Sequence, residues 1–135
     1  MGKPLRQATF PRTPTGASFA RRLIADALRG WMSEDERLDL VLAAGEAISN
    51  TIRHGGKGCF AVRCWTSGRK IIVDVIGEGA CFVSRPAESA EGESGRFGML
   101  IVHGLTDEVH LLDDGRRVRL VKRPAISPAI SYRVG

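Results

Sequence analysis

The sequence predicts an α+β fold, a two-layer α/β sandwich in which one mixed, mostly antiparallel sheet carries helices on one face. Three observations lead there. Ser33-Glu34-Asp35-Glu36 is a capping box that opens a long amphipathic helix. Two pairs of strand-like segments close on the turn signals Ser67-Gly68-Arg69 and Asp113-Asp114-Gly115. The elements then read β-α-α-β-β-loop-α-β-β without an internal repeat. A chain of 135 residues fits one domain, expected over residues 1–123, with residues 124–135 as a C-terminal tail.

Each element has a local reason. Residues 4–11 read as a short edge strand closed by Pro11. Thr13-Pro14 offers an N-cap and a first-turn proline for a helix, although Ser18 is a later alternative cap. Ala20, Leu23, Ile24, Ala27 and Leu28 then recur at helical spacing until Gly30. The capped second helix runs to His54 and stops at Gly55-Gly56. Its apolar stripe is expected to be Leu38, Val41, Gly45, Ile48 and Ile52. Phe60–Trp65 pairs with Ile71–Ile76, and residues 109–112 pair with residues 117–121. Residues 83–96 lack apolar periodicity, a length of loop that usually serves a function or is disordered. A third helix is expected over residues 97–105.

Composition narrows the functional classes. The apolar fraction of 43% and charged fraction of 26% are those of an ordinary globular protein. No apolar run approaches the roughly 20 residues of a membrane helix, and the first residues hold no secretory h-region. No membrane association is expected, and a cytoplasmic location is. Three cysteines, Cys59, Cys64 and Cys81, have no metal-ligand spacing and read as free thiols. The net charge of +5 raises direct nucleic-acid binding. Sixteen of the twenty cations are arginines, scattered except around Arg116–Arg123, and aromatic residues for base stacking are few. A solvated basic strand, or one that recruits an acidic protein, accounts for the charge better.

The second helix carries the chemistry. Glu46, Asn50, Arg53 and His54 are i, i+4, i+7 and i+8 neighbours, a polar stripe set apart from the apolar one. Solvated faces carry interchangeable Lys and Glu; a carboxylate, a carboxamide and an imidazole in register imply a pocket. His54 is equally explained as a basic residue at a helix C-terminus. Three glycine-bearing segments stand beside this stripe: Gly77-Glu78-Gly79, Gly95-Arg96-Phe97-Gly98-Met99, and Gly115-Arg116. Glycine near a helix start lets backbone amides approach an anion.

With these motifs the chain resembles the anti-sigma-factor serine kinases, within the GHKL (Bergerat-type) group of ATP-binding domains. Glu46-Ala47-Ile48-Ser49-Asn50-Thr51-Ile52-Arg53-His54-Gly55 matches the family's N-box, E-A-x-x-N-x-x-x-H-G, in full. Gly95–Val102 resembles its second glycine box, and Leu105-Thr106-Asp107-Glu108-Val109 its L-x-D-x-V ending. The resemblance implies a kinase that uses ATP and Mg²⁺, binds a sigma factor, phosphorylates an anti-anti-sigma antagonist on serine, and forms a homodimer. It implies Glu46 as the catalytic residue, polarising the acceptor hydroxyl, and Asn50 as the Mg²⁺ ligand. Arg53 and His54 would lie at the rim, while Gly77, Gly79, Gly95, Arg96, Phe97, Gly98 and Met99 would surround the nucleotide. The first glycine box departs from the family's D-x-G-x-G: Gly77 stands where the adenine-reading Asp belongs, and Cys81 where the last glycine does. That departure keeps a second reading open, a nucleotide-independent pseudokinase module that captures partners with the same fold.

Overall fold

The computed structural model describes residues 2–55, 58–77 and 102–125, with the backbone alone for His54 and Gly55. The elements are β1 (Lys3–Pro11), α1 (Pro14–Ala27), α2 (Glu34–Gly55), β2 (Cys59–Ser67), β3 (Lys70–Gly77), β4 (Glu108–Leu112) and β5 (Arg117–Lys122). The strands form one sheet in the order β1-β2-β3-β5-β4, and each of these pairings is antiparallel. Residues 102–105 form a helical turn; the remainder of the expected third helix and the loop at 83–96 lie outside the described residues.

Local chemistry sets the boundaries. The Thr13 hydroxyl accepts from the Gly16 amide at 3.0 Å and caps α1, which leaves Ser18 inside the helix. Gly16 is required where it stands, because a Cβ there would lie 2.1 Å from the Pro11 carbonyl oxygen. The capping box of α2 forms reciprocally. The Glu36 amide donates to Ser33 Oγ at 3.1 Å, and the Ser33 amide donates to Glu36 Oε1 at 3.2 Å. A two-residue turn joins β2 to β3, with Gly68 at φ 62° in its first central position. Asp113 and Asp114 adopt φ of 54° and 56° in the second hairpin, the left-handed region that short polar side chains tolerate.

The core lies between helices and sheet. Phe60, Val62, Val73, Val75, Val118 and Leu120 line the inner sheet face, against Ala20, Ile24, Leu40, Ala44 and Ile48. The buried arc of α2 is Leu40, Ala43, Ala44, Ala47, Ile48 and Thr51, and this corrects the expected stripe. Leu38, expected in the core, is 56% exposed, and Val41 and Ile52 are only half-buried. The face that meets the sheet is rotated from the expected stripe by roughly a third of a turn. Alanines allow that close approach, and a search for large apolar residues passes over them. The stripe read from the sequence is the flank toward α1, where Arg21 packs on Gly45.

The outer sheet face holds a buried acid. Asp74 is fully buried and accepts from Arg119 Nε at 2.8 Å, Arg119 Nη2 at 2.9 Å and Arg117 Nη1 at 3.1 Å. The Arg119 guanidinium also lies 5.0 Å from the Trp65 ring centroid, a cation–π contact.

Candidate functional site

The polar stripe of α2 begins where the buried arc ends. Glu46 and Asn50 are half-buried and Arg53 is exposed, about a right angle around the helix from the face on the sheet. This border, between core and solvent, lets a polar side chain meet a ligand while its helix stays anchored. Asn50 is one turn from both Glu46 and Ala47, so the carboxylate and carboxamide share one edge on an apolar floor.

Arg53 Nη2 donates to Asn50 Oδ1 at 3.3 Å. The oxygen that the resemblance assigns to a metal therefore already faces a cation. A carboxamide oxygen is a suitable ligand for Mg²⁺, which usually keeps several waters and takes few protein ligands beside the phosphates it bridges. No cluster of three or more His, Cys, Asp or Glu with metal-binding geometry occurs among the described residues. The described residues thus form no metal cage, and a lone carboxamide oxygen is the kind of ligand a phosphate-bridging Mg²⁺ would take.

Gly77 closes β3, buried, with its amide donating to the Arg116 carbonyl at 2.8 Å. It pairs with Phe60 and continues the inner-face series of Val73 and Val75, so its missing side chain belongs to the helix side of the sheet. The departure read from the sequence thus falls on the face that α2 covers. Gly79, Gly95, Arg96, Phe97, Gly98 and Met99 lie outside the described residues, as does the His54 side chain.

One polar residue at this place was not singled out in the sequence. Thr51, next to Asn50, is 2% exposed, and its Oγ1 is buried without a hydrogen-bond partner among the described residues. The sequence signal for it was a hydroxyl one turn beyond Ala47, on an arc otherwise made of alanine, leucine and isoleucine. A separate shallow pocket over α1 is lined by Pro14, Thr15, Ser18, Phe19 and Arg22 and includes none of the α2 polar residues.

The family model of the histidine kinase-like ATPase domain matches residues 10–122. The chain belongs to that family, a GHKL-type ATP-binding domain. No curated protein matches it.

Proposed function

We propose that this domain is an anti-sigma-type regulatory serine kinase, binding ATP with Mg²⁺ and acting on partner proteins. The observation that carries the reading is the half-buried Glu46/Asn50 pair, one turn apart on an edge of α2 where the buried arc meets solvent. ATP, when bound, supplies the phosphoryl group. Asn50 Oδ1 would ligate the metal once Arg53 swings out, and the exposed Arg53 is free to do so at little cost. Glu46 would orient and deprotonate a serine hydroxyl of an anti-anti-sigma antagonist, the role of a positioned carboxylate base. The amides of Gly95–Met99 would hold the phosphates. A sigma factor as second partner and a homodimer belong to the same proposal.

The pseudokinase reading is favoured by one observation, the buried Gly77 in place of an adenine acceptor. Calorimetric titration with ATP, with and without Mg²⁺, separates the two. The kinase reading expects saturable binding that Mg²⁺ strengthens, and Asn50→Ala should erase the Mg²⁺ increment. Glu46→Ala should keep ATP affinity yet lose turnover, read as ADP release, by about 10²–10⁴-fold. Absence of ATP binding by the folded wild type would hand the domain to the pseudokinase reading.

A further inference from the structure

The buried hydroxyl of Thr51 has no hydrogen-bond partner among the described residues. A threonine in a helix ordinarily returns its proton to the carbonyl four residues back. Thr106 does this, donating to the Val102 carbonyl at 2.7 Å. Thr51 has the Ala47 carbonyl in the equivalent position, yet its Oγ1 makes no hydrogen bond among the described residues. Burying a hydroxyl without a partner costs free energy that valine, of the same shape, would not incur. A buried polar group of this kind is a natural partner for an ordered water or a ligand.

Its position supplies one. The loop after α2 enters β2 at Cys59, and Phe60 pairs with Gly77, so the last turns of α2 stand over the sheet end where β3 delivers Gly77. Thr51 lies on the buried, sheet-facing arc, and Gly77 would carry its side chain on the helix-facing side. An orphan hydroxyl and a missing acceptor therefore occupy opposite layers at one end of the molecule. Asn50, the neighbouring residue, lies on the edge where phosphates and metal are expected.

We infer that the Thr51 hydroxyl is a base-reading group of the nucleotide pocket, hydrogen-bonding the purine edge directly or through one water in place of the acceptor that Gly77 lacks. The inference rests on the nucleotide-binding reading above. A hydroxyl both donates and accepts, so it serves the amino group of adenine and the carbonyl of guanine alike. The pocket it floors is a purine pocket of relaxed base choice, with specificity set by shape.

Thr51→Val tests this with two readouts. ATP affinity by calorimetry should fall about tenfold, which is about 1.4 kcal/mol, and GTP affinity should fall in parallel. Affinity for inorganic tripolyphosphate, which has no base, should not change. The melting temperature of the nucleotide-free protein should stay level or rise, because a buried unsatisfied group has gone. Thr51→Ser, which keeps the hydroxyl, should retain ATP affinity within about threefold, or ~0.7 kcal/mol. Unchanged ATP affinity in Thr51→Val, or an equal loss for tripolyphosphate, overturns the assignment while leaving nucleotide binding intact. A lowered melting temperature in nucleotide-free Thr51→Val overturns it too, since the hydroxyl would then be structural. Failure of the wild type to bind any nucleotide overturns this inference together with the reading beneath it.

Discussion

Glu36 ties the start of α2 to the segment after β5 through one carboxylate. Its Oε1 accepts from the Ser33 amide and hydroxyl, and its Oε2 accepts from the Ala125 amide at 2.8 Å. Burial pushes its pKa up, but the hydrogen bonds from Ala125 and Ser33 outweigh that and hold it below the usual 4.5. A lowered folded-state pKa means the contribution is fully present above the unfolded value and is lost as pH falls through the folded one. Glu36→Gln should therefore cost about 1 kcal/mol at neutral pH and flatten the acid limb from about pH 5 downward. Urea midpoints measured from pH 3 to 7 (roughly the window that linkage sets) check both parts. The capping box was legible because its two residues are three apart. The Ala125 contact was not, since nothing in sequence relates positions so distant. Asp74 was equally hidden: alternation marks it as outward-facing, yet Arg117 and Arg119 cover it completely. The arginines are 22% and 27% exposed at the side chain and can turn to water, whereas the acid cannot. Replacing both by methionine should accordingly cost about 3–5 kcal/mol, more than Asp74→Leu, in denaturant unfolding.

The expectation for α2 combined a correct helix with an incorrect face. Its capping box, length and termination at the Gly55 end are as read from the sequence, because caps and glycines act locally. The face was misjudged because hydrophobicity tracks burial only where side chains are large. Ala43, Ala44 and Ala47 are fully or almost fully buried, and Leu38 and Leu42 are more than half exposed. Leu40→Ala should cost about 2–5 kcal/mol, the usual loss for a buried leucine. Leu38→Ala, which no core contact supports, should stay within about 0.5 kcal/mol. Equal losses at the two positions would mean that Leu38 is covered in solution. The hairpins were legible for a related local reason: Gly68 and Asp113-Asp114-Gly115 satisfy backbone angles that few residues adopt. The same contrast applies to thiols. Cys64 faces the core opposite Val73, and burial pushes its pKa up to about 12. It should resist alkylation in the native protein and react only on unfolding, while half-buried Cys59 reacts sooner.

At the scale of the molecule, sheet and helices form the frame of the proposed nucleotide site, and Gly77 is the position that tests whether a base is read there. Its amide is held by the Arg116 carbonyl, and it pairs with Phe60 in regular antiparallel register. The glycines with positive φ among the described residues are Gly30, Gly58, Gly68 and Gly115. Gly77 is therefore in ordinary strand conformation, and the backbone accepts a side chain there without strain. Phosphate and metal contacts ignore the base, and a threonine hydroxyl serves either purine. ATP and GTP should bind the unmodified protein within about tenfold of each other, or about 1.4 kcal/mol. Gly77→Asp adds an acceptor that adenine's amino group can satisfy and guanine's carbonyl cannot. It should strengthen ATP by about 1–3 kcal/mol and leave GTP unimproved or weakened. Because a ligand stabilises the fold it binds by mass action, ATP at about a hundredfold its Kd should add roughly 2.7 kcal/mol of stability. Thermal shifts with each nucleotide, run on both proteins, read the whole comparison. A wild type that already prefers ATP strongly would mean that another acceptor reads adenine. A Gly77→Asp variant with no gain for ATP would mean that the base does not lie against the end of β3.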